Sequence, residues 1–139
     1  MTALLPALAL AAVLQAGGAP GAMKTIAQGA DSAVDEARQT VARTPVEWAA
    51  LWRAHDFERP APAVDFTTSM VVAVFMGSRP SAGFAVQVVG TTRDGNDLIV
   101  QYRETVPARG TLAAQILTSP YHLVSLPRVD GDVKFERVP

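Results

Sequence analysis

Ser69-Met70-Val71-Val72-Ala73-Val74-Phe75-Met76 is apolar at every position after the first and ends at Gly77. A short run of this kind, rich in β-branched residues, reads as a strand. Both alternating sets of side chains are apolar, so neither face suits water. The run therefore predicts a central strand covered on both sides.

On its C-terminal side, Gly77-Ser78-Arg79-Pro80-Ser81-Ala82-Gly83 interrupts regular structure with two glycines and a proline. Phe84–Val89 resumes as a strand with Phe84, Val86 and Val88 on one face. Leu98–Thr105 alternates again, with Leu98, Val100 and Tyr102 inward. The intervening Asp94-Gly95-Asn96-Asp97 makes the two a hairpin. Pro107 to Gly110 reads as a turn and Leu112–Thr118 as a strand. Ser119-Pro120 breaks that strand, which continues as Tyr121–Leu126. Val129 to Val138 reads as a last hairpin around Asp130-Gly131-Asp132, with Val133 and Phe135 inward.

On the N-terminal side, Phe57–Asp65 carries Pro60 and Pro62 and reads as an extended connector. Thr44–His55 is the clearest helix. Thr44 suits the cap, Pro45 the first helical position, and Glu47 completes a capping box. Trp48, Leu51, Trp52 and His55 then share one face, which predicts packing against a sheet. Gln39–Arg43 and Lys24–Gln28 are shorter strand candidates. The fold class is mainly β: an antiparallel β-sandwich of about six to eight strands with one docked amphipathic helix.

Residues 1–22 stand apart. The apolar run from Ala3 to Leu14 falls short of the roughly 20 residues a spanning helix requires. Small residues follow it, so the segment reads as a secretory signal peptide cut after Ala16, Ala19 or Ala22, with Pro20 disfavouring the middle site. Only the terminal amine charges its n-region. Residues 23–139 then form a single domain. The expected mature protein is exported, periplasmic or extracellular, without a stable membrane span.

The 139 residues carry a formal net charge of −1, 49% hydrophobic residues and no cysteine. A packed core is within reach of such a chain. No basic stripe is available for nucleic acid. Disulfides, thiolate catalysis and cysteine-based zinc sites are excluded together.

No catalytic signature occurs. His55 beside Asp56 offers two metal-ligating groups, too few for a site; the plainer reading is a helix-terminal histidine near the last carbonyls. Ser119 with His122 would need an orienting acid and an oxyanion hole to act as a nucleophile; the plainer reading is a histidine bonded to loop backbone. Asp94 and Asp97 flank a turn that lacks the further oxygens calcium requires. The expectation is no catalytic residue, no metal and no cofactor. Gly77–Phe84 reads equally as a strand connection and as a binding loop.

Three stretches together resemble the PrcB C-terminal domain family, named for an accessory subunit of a bacterial surface protease complex. They are Val74 to Phe84, then Tyr102-Arg103-Glu104-Thr105 with Pro107, Gly110 and Gln115, then Thr118-Ser119-Pro120-Tyr121-His122. Ser81, Ala82 and Phe84 stand where the family pattern has Thr, Gly and Tyr. The resemblance implies an exported, non-catalytic protein that associates with or stabilises a protease complex. It makes Arg79, Pro80, Ser81, Gly83, Phe84, Arg109, Tyr121 and His122 the candidate partner-binding residues. Pro80–Phe84 is also similar to a loop of chagasin-like protease inhibitors, which implies direct inhibition through residues 79–84 as an alternative. An envelope structural protein without a protease partner is a further alternative.

Overall fold

The computed structural model describes residues 23–139. The signal-peptide expectation for residues 1–22 lies outside the described residues. The elements run β1 (Lys24–Gly29), β2 (Arg38–Ala42), α1 (Pro45–His55), β3 (Ser69–Phe75), β4 (Ala85–Asp94), β5 (Asp97–Thr105), β6 (Tyr121–Pro127) and β7 (Val133–Val138). They form two sheets, one ordered β1-β6-β3-β2 and one ordered β4-β5-β7. The architecture is the expected β-sandwich with one docked helix.

β3 takes the central place its composition demands, hydrogen-bonded to β6 on one edge and β2 on the other. Met70, Val72 and Val74 of β3, with Val124 and Leu126 of β6 beside them, face the second sheet, where Val86, Val88, Leu98, Val100 and Tyr102 complete the sandwich core. Val71, Ala73 and Phe75 face the other way, onto Trp48, Leu51 and Trp52 of α1. The helix closes this second core because its apolar stripe matches the sheet face.

Thr44 caps α1, its Oγ1 accepting from the Glu47 N–H at 3.1 Å. The return bond goes from the Arg43 N–H to Glu47 Oε1 at 2.7 Å, one residue ahead of the cap. The indole N–H groups of Trp48 and Trp52 each donate at 2.9 Å, to the carbonyls of Pro62 and Arg59, so the proline-rich connector is tied to the helix it follows.

Three expectations need correction. Leu112–Thr118 forms no strand. β5 is already flanked by β4 and β7, and β6 by β1 and β3, so no adjacent edge is left for the segment joining them. Nor is Val129–Val138 a hairpin. Its first half crosses from one sheet to the other, held by the Arg43 guanidinium on the carbonyls of Val129 and Gly131. It arrives at the start of β5, so β7 lies parallel to β5, with Leu98 opposite Val133. This is the one parallel pairing among the described strands, and Val133 and Phe135 still pack against the core. His55, thirdly, does not bond the last helix carbonyls; it is buried with the tryptophan face it shares, as the stripe predicts. Its Nδ1 lies 2.8 Å from Ser32 Oγ, and its ring packs 4.2 Å from that of Tyr121. Burial lowers its pKa, against the pull of Asp56 and Asp31.

His122 sits opposite Val74 in the β3–β6 ladder and points into the sandwich, 2% exposed. Its Nδ1 accepts from the Val88 N–H at 2.8 Å, beside the β4 bulge, and its Nε2 lies 2.9 Å from Thr25 Oγ1. The first bond requires an unprotonated Nδ1, so the ring is neutral with its proton on Nε2. Burial pushes its pKa from 6.5 down to about 4. Unfolded chain then binds more protons than folded chain between these values. The stability His122 contributes is complete above about pH 6.5 and is lost as pH falls through about 4. Urea titrations should show a loss on the order of 3 kcal/mol between pH 7 and pH 4 from this group, with His55 adding in the same direction. His122→Asn, which keeps an acceptor near Nδ1 and does not titrate, should flatten the pH dependence.

Candidate functional site

Residues 77–84 leave β3 and residues 106–120 lead into β6. Phe75 pairs with Tyr121, so the two segments start from the same end of the same ladder. They brace each other. The Met76 N–H donates to the Pro120 carbonyl at 2.9 Å. Arg79 and Thr118 exchange both backbone bonds, at 2.7 and 2.9 Å, in an isolated antiparallel bridge. Thr118 Oγ1 donates to the Ser81 carbonyl, and the Ala82 N–H donates to the Ala114 carbonyl, both at 2.9 Å.

Two glycines allow this geometry. Gly77 has φ +83°, and a Cβ there would lie 2.7 Å from the Ala37 backbone nitrogen. Gly83 has φ +97°, and its Cβ would lie 2.9 Å from Pro107 Cγ, where the two segments touch. Both positions require the left-handed region and close backbone approach.

Arg79 is half-buried, not the freely exposed charge its loop position suggests. Its guanidinium carbon lies 5.6 Å from the centroid of the Phe84 ring, a cation–π contact. Its Nε is buried without a hydrogen-bond partner. No carboxylate of the described residues pairs with Arg79 or Arg109. Pro80 and Gly83 are exposed, Ser81 is buried with its Oγ on the Ala82 carbonyl, and Phe84 packs partly against the sandwich core. Arg109 is exposed in the Ala108–Thr111 turn of the bracing segment.

Tyr121 and His122 do not join this surface. Alternation along β6 sends Tyr121 under α1 and His122 into the sandwich, and both are buried. The expectation of one surface carrying all eight residues is corrected to one built from the two loops. Nor do Ser119 and His122 form a catalytic pair, since Thr25 and Val88 occupy both imidazole nitrogens. Asp97 accepts from the Asp132 N–H and pairs with Lys134 at 3.3 Å, interactions that lower its pKa. Among the described residues, no group of three or more His, Asp or Glu side chains is placed to hold a metal ion. No described helix is long and apolar enough to cross a membrane.

The residues between the two sheets supply what sequence reading missed. Leu112 is 100% exposed and Leu117 80%, with Ile116 and Val106 also largely in water. Several large apolar side chains on one exposed segment make it a candidate interaction surface. The available signal was the lack of regular apolar–polar alternation in Leu112-Ala113-Ala114-Gln115-Ile116-Leu117.

Residues 70–127 match the PrcB C-terminal family model. The matched region is less than half of the chain. It begins inside β3, contains both loops and ends with β6. No curated protein and no solved structure matches the chain. The resemblance carried by Val74–Phe84, Tyr102–Thr105 and Thr118–His122 thus falls within the region the PrcB C-terminal model describes.

The loop geometry predicts an ordering of glycine substitutions. Gly77→Ala should lower unfolding free energy by roughly 2–4 kcal/mol, because left-handed strain and a backbone collision add. Gly95→Ala, at φ +65° with open space around it, should cost only about 1 kcal/mol. Urea midpoints of the two variants check the order.

Proposed function

We propose that this chain is an exported, non-catalytic protein that binds a protease or protease complex through the surface built by residues 79–84 and 106–118. The observation that supports this most is the set of exposed apolar side chains, Leu112, Ile116, Leu117 and Val106, beside the rigid Arg79–Phe84 loop. Folded chains seldom leave such groups in water without a partner. The PrcB C-terminal match spans both segments, and that family is named for a subunit of a protease assembly. The site has the makings of a binding surface: apolar anchors, a cation on an aromatic ring, and a backbone held in place before contact.

The proposed chemistry is contact, with no bond made or broken. Phe84 and Arg79 set the shape at one side, and Leu112, Ile116 and Leu117 offer apolar area at the other. The apolar run Ala3–Leu14 and the small residues after it support the export part of this reading.

Two measurements test the reading. The tagged chain should recover a protease from the exported proteins of its host. Leu112→Ser with Leu117→Ser should reduce recovery at least about tenfold, given the share that buried anchors carry, with thermal stability retained because both side chains are exposed. Recovery unchanged in that variant removes the surface from the proposal, and recovery of other proteins but no protease removes the partner class. N-terminal sequencing of the secreted protein should begin at Gly17 or Met23; an intact Met1 in the secreted fraction would contradict signal-peptide removal.

A further inference from the structure

Residues 112–117 present a contradiction. Thr111–Thr118 contains no charge, no glycine and no proline, which is the composition of a strand. Yet the segment joins neither sheet. Its inner side already follows the Arg79 loop, through the Arg79–Thr118 bridge and the Ala82–Ala114 bond. Its other side is free. The N–H groups of Leu112, Ala113, Ala114, Gln115 and Leu117 donate no backbone hydrogen bond among the described residues. Thr118 turns its N–H and carbonyl toward Arg79, so those of Leu117 alternate away from the loop.

We infer that residues 112–117 are an incomplete strand, and that an extended, acidic and apolar segment of a partner protein adds to their free edge. This rests on the reading of residues 79–84 and 106–118 as a protein-binding surface and specifies how that surface is used. Backbone pairing satisfies the unpaired N–H groups, as in other strand-addition complexes. Apolar side chains of the partner cover Leu112, Ile116 and Leu117. The short Ile116–Ala114 backbone bond opens as the segment straightens.

The acidic character comes from charge. Residues 77–87 and 106–118 contain Arg79 and Arg109 and no Asp or Glu, in a chain whose net charge is −1. The backbone of Asp35 and Glu36 packs against the start of the loop, where the Ser78 N–H donates to the Asp35 carbonyl. Arg79 is held over Phe84 with its Nε unpaired and no ion-pair partner. The terminal guanidinium nitrogens of Arg79, which bond no described residue and are not buried like Nε, are the groups a carboxylate on the added strand pairs with. A second copy of this chain fits less well, because an isologous contact brings the same arginines together. An anionic lipid surface offers the charge and no ordered acceptors for a row of backbone donors.

The probes are a decapeptide alternating valine with glutamate and its counterpart alternating valine with lysine. Amide hydrogen exchange is followed on the purified chain. Millimolar glutamate peptide should slow exchange of the Ala113, Gln115 and Leu117 amides by about tenfold or more, and the lysine peptide should not. Arg79→Gln should remove the preference for glutamate. Gln115→Pro, at an exposed position, removes one edge donor and should abolish the protection while the tryptophan fluorescence of the fold persists. No protection by either peptide, or equal protection by both, overturns the inference. So does protection that appears on raising protein concentration alone, or on phosphatidylglycerol vesicles and neither peptide. Protease recovery lost in the Leu112→Ser, Leu117→Ser variant but retained in Gln115→Pro would leave the binding surface standing and remove strand addition.

Discussion

β3 has no side to offer water. Met70 to Phe75 are buried along their whole length, alternately under the second sheet and under α1. Two covering layers are therefore obligatory, and the remaining elements are arranged to supply them. The same burial requires both edges of β3 to be paired, since an unpaired backbone group in the interior costs about as much as a lost hydrogen bond. β6 takes one edge in a register that sets Phe75 against Tyr121. That register brings the chain leaving β3 and the chain reaching β6 to one end of the molecule. The candidate surface thus inherits its position from the core ladder.

The layers are joined by polar contacts as well as apolar packing. His122 on β6 receives the Val88 N–H, and the Gln28 side-chain amide donates to the Val86 carbonyl at 3.2 Å. Both bonds run from the four-stranded sheet to the backbone of β4, an edge strand of the other sheet. As an edge strand, β4 leaves backbone groups on its outer side that its ladder with β5 does not use. An imidazole that is neutral at ordinary pH fills that need at no cost in buried charge.

Local patterns carried much of the fold. The capping box, the tryptophan stripe, the apolar run of β3 and the Asp94–Asp97 hairpin were all legible, because each depends on neighbours within a few residues. Non-local occupancy was not. Leu112–Thr118 has strand composition, but the two strands it joins, β5 and β6, are already flanked on both sides. Asp130-Gly131-Asp132 has turn chemistry but serves a crossing between sheets, because Arg43 fastens the chain there. The site followed the same division. Gly77 and Gly83 signalled a demanding loop, while the inward turn of Tyr121 and His122 depended on which faces of β6 were covered. The exposure of Leu112 and Leu117 was legible only once every edge was assigned.

The order of strands along the chain sets when the four-stranded sheet can form. β6 is an inner strand of that sheet and the only described partner of β1, yet it occupies residues 121–127 of 139. Pairing Lys24 with Ser125 closes almost the entire described chain into one loop. Contacts this distant in sequence make folding slow and leave β1 and β3 without their shared neighbour until β6 has been made. Until then the four-stranded sheet lacks an inner strand, and β1 and β3 expose the edges that β6 will pair.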